Sequence, residues 1–96
     1  MTQLTIVVNI YANPDRIALV QAELEKLVPI TLSEAGCVRY ELHQNNVEPA
    51  HFIFYETWAT RELWQAHLAQ PHVAAYALAT EGAVNDFTLH ELTSMS

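Results

Sequence analysis

The chain is short of cysteine, glycine and positive charge, and each shortage removes a class of function. Cys37 is the single cysteine. It has no partner for an internal disulfide or a paired-cysteine metal motif, and it reads as a small buried hydrophobe. Lysine and arginine total 4 against 11 aspartate and glutamate residues, for a formal charge of −7. A phosphate backbone would be repelled, so nucleic acid is not an expected partner. No apolar run approaches the ~20 residues of a membrane span. The opening MTQLTIVV carries no positive charge ahead of its apolar residues, so it does not read as a secretory signal. A cytoplasmic protein without membrane or nucleic-acid partners is the expectation. The sequence also lacks a glycine-rich phosphate loop, a nucleophile elbow and a dinucleotide fingerprint, which removes the easy cofactor motifs.

What is present is apolar and well patterned. Hydrophobic residues make up 51% of the 96 positions. Residues 1–96 read as one domain. LTIVVNIYA (4–12) is β-branched and aromatic and predicts a first strand. Asn13-Pro14-Asp15 reads as a helix start, with Asn13 as cap. Ile17, Val20, Leu24, Leu27, Val28, Thr31 and Ala35 then recur at helical spacing to about Ala35, and Gly36 follows as the stop. Pro29 inside this helix predicts a kink near 25–28. CVRYELHQ (37–44) and HFIFYETW (51–58) predict strands around a turn at 45–50. Thr60 caps a short helix to about Ala69. Gln70-Pro71 breaks it and opens another to about Glu81, closed by Gly82. AVNDFTLHEL (83–92) predicts the last strand.

The order is β-α-β-β-α-β with the second helix in two pieces. This is the ferredoxin-like α+β pattern, a four-stranded antiparallel sheet with helices on one face. Strand 4–12 places Leu4, Ile6, Val8 and Ile10 on one side and Thr5, Val7, Asn9 and Tyr11 on the other. Strand 51–58 likewise has aromatics on both sides. A sheet with one wet face alternates more cleanly, so a homodimer through the sheet faces is expected. The pattern does not say which face meets the helices.

Chemistry concentrates in ETWATRELWQAHLAQPHVAAY (56–76). Leu63, Trp64, His67 and Leu68 form one helical stripe, which places His67 on the buried side. His72 sits in the first turn after Pro71, where the helix dipole favours neutral imidazole, and Tyr76 follows at i+4. Glu56 shares a strand face with Phe54 and Trp58, where a carboxylate needs a partner such as a histidine. For each the bland reading stands beside the functional one: a packed core histidine, a capping histidine, a structural carboxylate. Trp58 and Trp64 read as core, and Asn9 as a site donor or an interface hydrogen bond. Glu56, His67 and His72 also supply the side chains of a metal site. However, the helical zinc motif spaces its histidines four apart on one helix, and these are five apart across a break. No metal is expected.

EAGCVRYEL (34–42), FYETW (54–58) and the His67, His72, Tyr76 spacing resemble the antibiotic biosynthesis monooxygenase (ABM) domain family. The stretches VP-x2-L-x-E-x-GC-x2-Y (28–40) and W…AHL-x2-PH-x2-AY (58–76) resemble its bacterial quinol monooxygenases. The resemblance covers essentially the whole chain. It implies a dimeric α+β barrel with a pocket between sheet and helices in each protomer, and oxygen chemistry without metal or flavin. Family members that degrade haem use a strand-one Asn, a Trp and a His. Asn9 matches, but His67 and Ala77 stand at the other two positions, so haem degradation is not implied.

The function expected on these grounds is a cofactor-independent monooxygenase acting with O2 on a small aromatic substrate, a hydroquinone or polycyclic phenol. His67 or His72 would be the base, with Glu56 holding its tautomer. Tyr76 and Asn9 would bind a substrate oxygen, and Trp64, Phe54 and Tyr40 would line the pocket. Two alternatives use the same residues. One is an isomerase of a small phosphorylated carbonyl compound related to quorum-signal processing, as found among relatives. The other is a non-catalytic small-molecule-binding module. Only Arg16, Lys26, Arg39 and Arg61 are available to bind a phosphate.

Overall fold

The computed structural model describes residues 3–96; Met1 and Thr2, the start of MTQLTIVV, lie outside the described residues. The elements run β1 (Leu4–Ala12), α1 (Ile17–Leu32), β2 (Cys37–Gln44), β3 (His51–Trp58), α2 (Arg61–Leu68), α3 (Pro71–Ala79) and β4 (Val84–Leu92). The four strands form one antiparallel sheet in the order β2-β3-β1-β4. This is the ferredoxin-like α+β arrangement, with the second helix divided at Pro71 as the sequence suggested. None of the helices among the described residues is long and apolar enough to cross a membrane.

The helices cover the sheet face built from Ile6, Ile10 and Ala12 of β1, Tyr40 of β2, and Phe52, Phe54, Glu56 and Trp58 of β3, all buried. Val20, Leu24, Leu27 and Thr31 form the buried face of α1 against it. Their 4-3-4 spacing is the helical repeat that put them on one stripe in the sequence. Strand register explains the stacking: Glu56 stands opposite Ile6 on one side and Tyr40 on the other, and Phe54 stands between Val8 and Leu42. Trp58 is fully buried. Truncating a core residue of this size typically costs about 3–5 kcal/mol.

Two helix ends differ from expectation. α1 begins at Ile17, with Arg16 at the N-cap and no side-chain cap. Asn13 is not its cap. Residues 13–16 form a turn closed by Arg16 N–H donating to the Asn13 carbonyl (2.9 Å), and the Asn13 amide reaches across to the Gly82 carbonyl (2.8 Å). α1 also stops at Leu32, three residues early, running through Pro29 as one helix. There the Ser33 hydroxyl donates to the Ile30 carbonyl at 2.6 Å, the local side-chain bond that competes with helix continuation. The consequence is that Glu34 falls in the turn rather than on the helix. Gly36 then reverses the chain at φ +84, and a Cβ built there would lie 2.4 Å from Leu63 Cδ1. Only glycine satisfies both the backbone and the close approach.

Candidate active site

A cavity of about 480 Å³ lies between the helices and the β1/β4 side of the covered sheet face. Its walls include Val8, Ile10, Leu24, Leu27, Tyr40, Phe54, Trp64 and Tyr76, with buried Glu56 and His67 and exposed Glu81 among its acid–base groups. Phe87 and Leu89 of β4 complete the wall yet remain substantially exposed. They pair with Ile10 and Val8 at the sheet edge. The apolar lining and few polar groups fit a flat, hydrophobic small molecule.

Local sequence places each of these groups. Thr60 caps α2, accepting from the Leu63 N–H at 3.1 Å. From that start Trp64 and His67 fall on the buried side of α2, one turn apart. The His67 ring packs 4.9 Å from Trp58 and 5.7 Å from Tyr40, centroid to centroid. Tyr40 in turn lies 4.5 Å from Phe54.

The carboxylate that holds His67 is Glu34. His67 Nδ1 donates to Glu34 Oε2 at 2.7 Å, and His72 Nε2 donates to the same oxygen at 2.8 Å. Thr31 Oγ1 lies 3.3 Å from His72 Nε2. A carboxylate accepts only, so both imidazole nitrogens facing it carry hydrogen. In neutral His67 this leaves Nε2 as the lone-pair nitrogen for the cavity that the ring lines.

Glu56 has a different partner from the one expected. Its Oε1 accepts from Trp58 Nε1 at 2.9 Å, and no histidine bonds to it. Burial pushes its carboxyl up to about 7, against the lowering effect of the indole hydrogen bond and with a further upward push from Glu34. Glu56 is therefore poised between acid and carboxylate near neutral pH. Burial likewise raises the Tyr40 and Tyr76 hydroxyls, so both remain protonated donors. Cys37 is only partly buried, and burial lifts its thiol to about 11.

Of the residues singled out from sequence, Glu56, His67, Tyr76, Trp64, Tyr40 and Phe54 line one cavity. Two do not. Asn9 lies on the opposite sheet face, where its side chain bonds His51 and Thr88, so it cannot meet a molecule in this cavity. The sheet itself stands between them. His72 turns away from the cavity toward Glu34 and lines a second cleft of about 310 Å³ with Glu34, Ser33 and Gln70. It is not a base for this pocket. Glu34 was the residue missed. Its one signal was its place in the E-x-GC stretch just before Gly36, which carries no periodicity of its own.

Glu34, His67 and His72 each offer one ligand atom, all within 4.8 Å of one another. By sequence the two histidines, five apart across a break, depart from the helical zinc motif, with Glu56 as their expected partner. Across that break at Pro71 the two rings still lie 5.8 Å apart, and both meet Glu34 rather than Glu56.

The family model for antibiotic biosynthesis monooxygenase matches residues 3–78. An uncharacterised protein of Synechocystis is 32% identical over 68 residues, 67% of this chain but 44% of that protein. The chain thus spans less than half of that relative's length. A protein named probable quinol monooxygenase YgiN, of Escherichia coli, is 28% identical over 78 residues, 73% of this chain and 75% of that one. The crystal structure of PA3566 from Pseudomonas aeruginosa superposes with a TM-score of 0.96 at 26% identity, covering 100% of this chain and 97% of that one.

Proposed function

Because the chain belongs to the antibiotic biosynthesis monooxygenase family, we propose that it is a cofactor-independent monooxygenase acting with O2 on a hydroquinone or polycyclic phenol. The observation that carries this reading is His67. It is buried in the wall of an apolar cavity, its Nδ1 is held by Glu34, and its Nε2 is left to take a proton.

The reaction follows from the substrate class. His67 Nε2 removes the phenolic proton, breaking the substrate O–H bond. The resulting aryl oxide supplies the electrons that reduce O2, and one oxygen atom enters the ring carbon. The O–O bond then breaks as that ring carbon loses its hydrogen, and the second oxygen leaves as water, carrying that proton and the one that His67 returns. A hydroquinone plus O2 becomes a hydroxyquinone plus water. Glu34 faces the transient imidazolium and stabilises it. Tyr40 and Tyr76 are protonated donors for a substrate oxygen, and Glu56 is a second proton-transfer group. The apolar walls keep water from the anion.

Neither arginine nor lysine lines the cavity, so a phosphorylated substrate would find no counter-charge there. This favours the monooxygenase over the isomerase. The test is oxygen uptake on a panel of hydroquinones. Turnover is expected to stop without O2 and to fall in H67A. Turnover that continues anaerobically identifies an isomerase, and ligand-induced thermal stabilisation without turnover identifies a binding module.

The proposal extends to assembly. The uncovered sheet face carries half-buried Val7, Ile53 and Tyr55 and no helix, which supports homodimerisation through that face. Light scattering at micromolar concentration is expected to give a dimer, and a monomer rejects it.

A further inference from the structure

We propose that Glu34, His67 and His72 form a binding site for one divalent transition-metal ion of the zinc class. Two imidazoles and a carboxylate are ligands suited to zinc and its neighbours, whereas magnesium and calcium prefer all-oxygen sets. The three side chains come from three different elements: the turn after α1, α2, and the first turn of α3. They converge while largely buried, at 6% side-chain exposure for His67 and 12% for Glu34 and His72.

The distances define the rearrangement needed. Zinc–ligand bonds of about 2.0–2.1 Å at tetrahedral angles set ligand atoms about 3.3 Å apart. Glu34 Oε2 lies 2.7 Å and 2.8 Å from the two nitrogens. The triad is hydrogen-bonded as it stands. Metal entry would displace the two shared protons, widen each of these contacts by roughly half an ångström, and draw the two nitrogens, which lie within 4.8 Å of each other, toward that same spacing. The second cleft supplies the route. Glu34 and His72 line it, so an ion arrives from that side and keeps an open position toward water. The chain's net charge of −7 favours cation approach.

Occupancy would act on the pocket. A metal on His67 Nδ1 forces the ring proton onto Nε2, the nitrogen that Glu34 leaves free. An acceptor becomes a donor, and the base is switched off. This consequence rests on the function proposed above; the binding site itself does not.

Chelator-treated protein is titrated with Zn2+ by calorimetry and with Co2+ by visible absorption. One ion per chain is expected. E34Q and H72A should each weaken uptake by at least about 100-fold, since even residues behind the ligands cost 10–100-fold. Circular dichroism checks that both variants fold. H43A is the control, because His43 and Glu41 form an exposed pair 3.3 Å apart and its loss should change nothing. Absence of saturable uptake, or uptake indifferent to E34Q and H72A, overturns the site. Saturating zinc should abolish hydroquinone turnover reversibly with chelator. Zinc uptake with undiminished turnover overturns the switch and the base role of His67 while the site stands. Zinc uptake by a metal-free protein with no turnover supports the site and removes the proposed function.

Discussion

Each face of the sheet buries a histidine, and the two are held in opposite ways. His67, on the helix-covered face, meets a carboxylate. His51, on the uncovered face, stacks on Tyr11 with centroids 4.4 Å apart and meets only amides. The Asn45 side-chain oxygen accepts from the Val47 and Glu48 N–H groups, at 2.8 and 3.1 Å, which fixes the amide and turns its Nδ2 toward His51. That Nδ2 donates to His51 Nδ1 at 3.1 Å, and His51 Nε2 donates to Asn9 Oδ1 at 2.8 Å. Asn9 passes the chain on to Thr88 at 3.2 Å. A second proton on His51 would point at an amide donor. A second proton on His67 would sit on Nε2, on a ring whose Nδ1–H already faces a carboxylate. Burial is common to both residues; the partner's capacity to compensate charge separates a structural histidine from a candidate base.

The sharpest way to break this contrast is H67A, expected to cost about 10²–10⁴-fold in kcat on a turned-over hydroquinone. A smaller loss would move the base elsewhere. Next comes Glu56. Its folded-state carboxyl is raised from 4.5 to about 7. The folded protein therefore carries no penalty below about pH 4.5. It loses stability as pH rises from there through 7, by up to about 3 kcal/mol at 1.36 kcal/mol per unit. E56Q is neutral throughout, so its melting temperature should gain on the wild type across that window and hold a constant lead above it. A pH-independent difference would reject the raised carboxyl. E34Q keeps the size of the side chain but not its charge, and should lower kcat by about 10–100-fold, the usual cost of losing a carboxylate that orients a histidine, with KM little changed. The smallest effect belongs to the other face. H51A should lower stability by about 1–3 kcal/mol through unpaired amides and leave turnover per folded chain unaltered.

The same contrast shows what could be read from residues alone. β2 and β3 fall on their expected bounds and β4 starts one residue later than expected, because alternation and turn residues are local signals. The pocket walls at Tyr40, Phe54, Trp64 and Tyr76 were legible because apolar periodicity places a residue on a face. The partner across the fold was not. Glu34 is 33 residues from His67 and 38 from His72, and it belongs to a turn rather than a periodic element. Asn9 was grouped with Thr5, Val7 and Tyr11, the correct face mates. Knowing that this face turns from the helices required the burial of Ile6 and Ile10 on the other. His72 and Tyr76 share a helix side at i, i+4, yet only Tyr76 reaches the cavity.

Gly36 links the backbone to the geometry of the candidate site. The missing side chain at that turn is the socket into which Leu63 fits, and Leu63 precedes His67 by one turn of the same helix. The depth of that socket fixes how closely α2 seats against the start of β2, and so the height of the imidazole above the cavity floor. Gly36 is also joined by its carbonyl to the Ala59 N–H at 2.8 Å, just before the helix begins. One hydrogen atom in place of a methyl group thus works as the shim that levels His67 against the cavity. A bulkier residue at 36 would be felt as displacement of His67 in the cavity wall, even in a chain that still folds.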